Sequence, residues 1–240
     1  MVLELSALQT GLHLLPLSFA LLAAAVGIPK LAPRARPRLI VRLGLVSMTA
    51  GTLVLIGGIS PGADAGIVTV PMLLMGLGIG ALASQLGAVT VSAVPDRHSA
   101  EVGGLQNTVT NLGASLGTAL VGAVLIASLT TGLVNGVQDS SAIPVNVKTQ
   151  ATTQLQAGLP FISDTDLKAQ LQKADVPAAQ ADAVLKANSD ARLSALRTSL
   201  SVVVFIAVAA LFLTGLIPAE PVGQARRKVA TPKAAEASTN

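Results

Sequence analysis

Residues 71–89, PMLLMGLGIGALASQLGAV, contain no charged residue and decide the fold class. An uncharged apolar run of about 18 residues or more is long enough to cross the hydrocarbon core of a membrane. Four further runs have the same character, and none alternates strictly between apolar and polar residues, which argues against a barrel. The sequence therefore predicts an all-α integral membrane protein with five transmembrane helices, at about residues 11–29, 43–62, 67–94, 105–129 and 198–218.

The overall composition agrees with a membrane protein. Hydrophobic residues make up 51% of the chain and charged residues 12%, about half the charged share of a typical soluble domain. The absence of cysteine excludes a disulfide framework and a thiolate metal site. The net charge of +4 does not indicate nucleic-acid binding, because the chain has no Trp or Tyr to stack on bases and its basic residues adjoin the apolar runs. We expect the lipid bilayer, and no nucleic acid, as a partner.

The basic residues near the span ends predict the orientation. Ten of them fall on one side of the predicted membrane and none in the short loop on the other, and Lys and Arg accumulate on the cytoplasmic side. We therefore expect a multi-pass protein of the cell membrane with its N-terminus outside and its C-terminus in the cytoplasm. An outside start is unusual for a chain without a signal peptide, so we expect an upstream span to be missing. Half of the ten basic residues form one cytoplasmic loop, here called the basic loop: Lys30, Arg34, Arg36, Arg38 and Arg42.

Two segments lie outside the predicted spans. Residues 131–197 are too long and too polar for a short connection, and their apolar residues recur at helical spacing. We interpret them as an extracytoplasmic loop with short amphipathic helices, one of which opens at Asp164 with a capping residue and the last of which leads into the fifth span. Residues 219–240 are rich in Ala and Lys and are predicted to be a disordered cytoplasmic tail.

Small residues on the third and fourth spans predict close helix packing. Helices in lipid associate through small residues that allow their backbones to approach. On the third span Gly76, Gly80 and Gly87 fall on one ridge, and on the fourth Gly113 and Gly117 lie one turn apart. We expect these five glycines to be helix-packing positions.

Polar side chains within the apolar runs are the candidates for a binding site. Asn107, Asn111 and Thr118 share one stripe of the fourth span, and Gln85 lies opposite the glycine ridge of the third. An amide that faces lipid is costly, so these side chains should meet either other helices or a water-filled cavity. We consider all four to be candidates for the wall of a substrate cavity, with hydrogen bonding between helices as the alternative.

The sequence offers no catalytic machinery. No Asp, Glu, Lys, Arg or His lies in the middle of a predicted span, and His13 and His98 lie near span ends, where an interfacial or loop role is expected. There is no paired carboxylate, phosphate-binding loop or metal-ligand cluster. We therefore predict no enzyme activity, no cofactor and no metal.

Four segments resemble the fourteen-span drug:proton antiporters of the major facilitator superfamily. The most specific, GGLQNTVTNLGASLG, resembles their thirteenth span, and the others resemble the entry to the tenth, the twelfth and the approach to the last. These segments are residues 103–117, 8–16, 71–80 and 188–197. The resemblance implies five spans of an incomplete C-terminal lobe, without the N-terminal lobe in which such transporters usually keep their coupling carboxylates.

The resemblance implies export of small amphiphilic molecules by proton antiport, as part of a multidrug-type efflux transporter that is truncated and not competent alone. The chain would then be a truncated gene product or one piece of a split transporter, with the missing lobe or another transporter chain as its partner. The alternative is a non-transporting membrane protein that assembles with or regulates a full transporter.

Overall fold

A computed structural model describes residues 7–60, 65–92, 95–141, 143–145, 148–149, 163–174 and 176–217. Within these ranges the chain is helical and has no strand, which confirms the all-α fold class. Among the described residues, five helices are long and apolar enough to cross a membrane. The predicted tail, residues 219–240, lies outside the described residues.

The helices are named here in chain order. Proline begins α2, at the first helical position, where its fixed φ is favourable and its missing N–H costs nothing. Short 3-10 turns precede α3 and α4 and follow α6, at Ala65–Val68, Asp96–His98 and Thr214–Leu216. The α-helices whose bounds lie within the described residues are α1 Ala7–Leu31, α2 Pro37–Gly58, α3 Thr69–Ser92, α4 Ser99–Asp139, α5 Asp164–Lys173 and α6 Ala178–Leu213.

Helices α4 and α6 are much longer than the spans expected from hydropathy. Helix α4 has 41 residues and extends beyond 105–129 at both ends, and α6 has 36 residues. Helix α6 therefore joins the end of the 131–197 segment and the fifth span in one continuous element. Backbone hydrogen bonding continues a helix past the polar boundary that ends an apolar run, so hydropathy alone places such an end too early.

The chain divides into two compact units, each of which has its own packing. In the first unit, the end of α4 packs on the start of α6 through a core of Leu129, Leu133, Val137, Ala191 and Ala195. In the second unit, α3 packs against α1 and α2 through glycines that leave no space for a side chain. Both contacts use small residues, as expected for helices that associate in lipid.

Candidate functional site

The amide stripe of α4 is exposed along its length. Asn107, Asn111 and Thr118 are all exposed, and their side chains have no hydrogen-bond partner within the described part of the chain. The apolar side chains Leu112 and Leu116, on the opposite side of the helix, are exposed as well. An unpaired amide in hydrocarbon costs several kcal/mol. The stripe therefore requires water or a further polar partner when α4 lies in a membrane.

A cavity of about 310 Å³ lies between α3 and α4, beside the stripe. Gln106 and Thr110 line it, and the Thr110 hydroxyl donates to the Gln106 carbonyl at 2.9 Å. This satisfies the hydroxyl within the helix and leaves the Gln106 amide as the polar group facing the space. The remaining described lining is apolar: Leu86, Val102, Leu105 and Val109.

Gln85 lies on α3 and not on the helix that carries the amide stripe. Its side chain is buried, with 7% exposed, and its amide nitrogen donates to the Ser84 hydroxyl at 3.2 Å. That hydroxyl in turn donates to the Ala81 carbonyl at 2.7 Å. Gln85 is thus held by its own helix. That any of the four polar residues lines a substrate cavity remains a prediction.

The predicted packing glycines fall into two groups. A Cβ on Gly76 would collide with the Leu17 carbonyl of α1, and one on Gly80 with the Leu21 carbonyl. A Cβ on Gly113 or Gly117 would meet nothing within 4 Å among the described residues. The surroundings of Gly87 lie outside the described part of the chain. Close packing within this chain therefore involves Gly76 and Gly80, whereas Gly113 and Gly117 face open space.

A further pair of packing glycines was missed by the sequence reasoning. A Cβ on Gly132 would lie 3.0 Å from the Ala191 Cβ, and one on Gly136 would lie 2.8 Å from the Ala187 Cβ. Gly132 and Gly136 are four residues apart, as are Ala187 and Ala191, and this spacing of small residues is a sequence signal for close helix packing. The interpretation of residues 131–197 as a loop predicts no packing of this kind there.

Two arginines of the basic loop bind the carboxyl end of α6. Arg38 Nε donates to the Ile217 carbonyl and Nη2 to the Gly215 carbonyl, both at 2.8 Å. Arg42 Nε donates to the Thr214 hydroxyl, also at 2.8 Å. The last carbonyls of a helix have no partner within it and carry partial negative charge, so cations are favourable there. Sequence reasoning assigned these arginines a role in topology only.

A polar cluster joins α5 to α6 in the first unit. Asp164 Oδ1 accepts from Asn188 Nδ2 at 2.7 Å and from Arg192 Nη1 at 3.1 Å, and both donors are almost fully buried. The helix cap is therefore Ser163, whose hydroxyl accepts from the Asp166 amide at 3.0 Å, and not Asp164 as expected. Asp164 is the first helical residue, and its carboxylate is committed to the neighbouring helix.

A cluster of three ionisable side chains lies at the start of α4. His98 Nδ1 lies 3.2 Å from Glu101 Oε2, and Arg97 Nε donates to His98 Nε2 at 3.0 Å. In the tautomer whose Nε2 accepts from Arg97, Nδ1 carries the hydrogen and donates it in a hydrogen bond to the Glu101 carboxylate. All three side chains are substantially exposed. Among the described residues, no group of three or more His, Cys, Asp or Glu is placed to hold a metal ion.

Five apolar helices and their small-residue contacts define a multi-pass helical membrane protein. Residues 1–118 match the family model described as Major Facilitator Superfamily, so this part of the chain is similar to that family. Neither a curated protein nor a solved structure matches the chain.

Proposed function

We propose that the chain forms part of a transporter that exports small amphiphilic molecules by proton antiport, and that it needs further helices to do so. The superfamily match supports a transporter. The observation that carries the rest is the exposed amide stripe of α4, whose Asn107 and Asn111 have no partner in the described part of the chain. A wetted cavity completed by other helices would satisfy these amides, and the amides would contact the polar part of a substrate.

We assign proton coupling to the further helices that the proposed transporter needs. A proton-driven transporter needs a titratable group in its pathway, and no span of this sequence carries one near its middle. We therefore expect the chain alone to produce no export that depends on the proton gradient. Export of a fluorescent cation such as ethidium, measured in cells lacking other exporters, tests this. Efflux by the chain alone that collapses with the proton gradient would contradict it.

Thiol accessibility tests whether the stripe lines a cavity. Since the chain has no cysteine, Asn107→Cys and Asn111→Cys can be probed singly in membranes with a small hydrophilic thiol reagent. If the stripe faces water, both should react quickly. Leu112→Cys and Leu116→Cys, on the opposite side of α4, are the matched controls and should react slowly. Equal reactivity of the two faces would overturn the cavity proposal.

The alternative function is a non-transporting membrane protein that assembles with or regulates a full transporter. The same exposed face of α4, with Gly113 and Gly117 open, would then be a helix-binding surface. In that case Asn107→Cys and Asn111→Cys would be protected, because a partner helix covers them. A neighbouring reading frame that encodes about nine spans would support a split transporter, and its absence would favour this alternative.

A further inference from the structure

An apolar groove lies between α1, α2 and α3, next to the basic loop. Its volume of about 530 Å³ is within the range of roughly 300–1,000 Å³ typical of small-molecule sites. Its lining includes Ala24, Ile40 and Ala81, which are buried, and Leu31 and Leu43, which are exposed at its open side. The groove is therefore a slot with a closed apolar floor, open towards the surroundings of the helices.

The polar groups of the groove are already satisfied. Its lining contains one hydroxyl, that of Ser47, which donates to the Leu74 carbonyl at 2.7 Å. Along α1 the lining runs from Ala23 to Leu31, a length of about 12 Å at 1.5 Å per residue. This is close to the thickness of one hydrocarbon leaflet, half of about 30 Å. The chemistry and the length both suit an acyl chain.

Three basic residues are sequence neighbours of groove-lining residues. Lys30, Arg34 and Arg36 alternate in sequence with the lining residues Leu31 and Ala35. All three basic side chains are exposed, and none has a hydrogen-bond or ion-pair partner within the described part of the chain. No Asp or Glu occurs between residues 5 and 63.

The five basic residues of the basic loop differ in their contacts, and this difference supports an anion site. Arg38 and Arg42 are engaged with the carboxyl end of α6, so their charge is partly balanced there. The other three cations remain unbalanced. A loop that served orientation only would need the charges but not an apolar slot beside them.

We infer that the groove and the basic loop together bind an anionic phospholipid, with an acyl chain in the groove and the phosphate on Lys30, Arg34 and Arg36. Basic pockets between transmembrane helices bind anionic headgroups in this way. The site does not depend on the proposed transport function or on the orientation of the chain.

Native mass spectrometry of the purified chain tests the site with phosphatidylglycerol and phosphatidylcholine of identical acyl chains. The wild type should retain phosphatidylglycerol in preference. Each basic residue near an anionic lipid surface contributes about a five-fold gain in affinity. The triple variant Lys30→Gln, Arg34→Gln, Arg36→Gln should therefore lose most of the preference. The matched control carries the same charge change on exposed lysines of α5 and α6: Lys168→Gln, Lys173→Gln and Lys186→Gln.

A second variant tests the groove without changing charge. Gly27 lines the groove, and the Cβ of a residue replacing it would meet only Leu31 Cδ1, at 3.9 Å, so we expect the side chain of Gly27→Leu to occupy groove space. It should reduce phosphatidylglycerol retention several-fold. Gly11→Leu is the control, because Gly11 lies on the same helix in open space and outside the groove lining. Equal retention of the two lipids, no effect of the triple variant, or equal behaviour of Gly27→Leu and Gly11→Leu would each overturn the site.

Discussion

At the scale of single residues, the absence of a side chain decides where these helices touch. Gly76 and Gly80 place the backbone of α3 against carbonyl groups of α1, and no larger residue fits there. The same residue type at Gly113 and Gly117 faces open space. Glycine spacing thus indicates which positions permit close approach, and only the neighbouring helix makes them contacts.

This difference predicts opposite results for the same substitution. Gly80→Leu must displace the Leu21 carbonyl and the Ala24 Cβ of α1, and should lower protein abundance and thermal stability in detergent. Overpacking of this kind costs about 1–3 kcal/mol. Gly117→Leu is the matched control and should leave the stability of the isolated chain unchanged. Equal stability of the two variants, measured by fluorescence-detected size exclusion after heating, would contradict the packing described here.

The Asp164 carboxylate gives a second residue-scale prediction. Asp164→Ala removes the acceptor of two nearly buried donors, Asn188 Nδ2 and Arg192 Nη1. The loss should be about 1–3 kcal/mol, at the low end because the carboxylate itself is partly exposed. Limited proteolysis should then cleave α5 more readily than in the wild type. Asp182→Ala, an exposed carboxylate of α6, should have no such effect, and equal cleavage of both variants would refute the prediction.

At the scale of elements, helix ends are completed by arginines that are distant in sequence. Arg38 and Arg42 bind the end of α6, and Arg197 Nη2 donates to the Ile59 carbonyl just beyond α2, at 2.6 Å. Terminal carbonyls buried without partners are costly, and the long guanidinium group reaches them while remaining charged. The arginines therefore determine where the helices α2 and α6 are anchored.

Removing these anchors should loosen the end of α6. In Arg38→Gln, Arg42→Gln the carbonyls of Gly215 and Ile217 lose charged donors, each worth about 1.5–3 kcal/mol when buried and less here because the contacts are partly exposed. Hydrogen exchange of amides near residue 214 should accelerate several-fold. Arg34→Gln, Arg36→Gln changes the charge equally and should leave the exchange unaltered when anionic lipid is absent. If amide exchange accelerates equally in both double variants, the cause is the loss of positive charge and not the loss of these hydrogen bonds.

At the scale of the whole molecule, the distribution of charge predicts the orientation. Ten basic residues lie on one predicted side, and this bias directs insertion of helical membrane proteins. The chain has no cysteine, so single cysteines report their own accessibility without background.

We expect Ala169→Cys to react with an impermeant thiol reagent on intact cells and Ala35→Cys to react only after the membrane is permeabilised. Ala35 belongs to the basic loop region and Ala169 to α5, on opposite predicted sides. If only Ala35→Cys reacts on intact cells, the orientation is the opposite of the predicted one. An untreated wild-type sample is the negative control, since it contains no thiol.

The sequence alone determined the membrane class and the helical fold, because an uncharged run of about 18 residues or more has few other stable environments. It also identified the polar residues of α4, since amides are rare in such runs. It did not separate Gly76 and Gly80 from Gly113 and Gly117, nor assign Arg38 and Arg42 to the end of α6. Only the tertiary structure decided these points. Hydropathy is a property of each residue, whereas a contact depends on which second helix lies opposite, and that partner is distant in sequence.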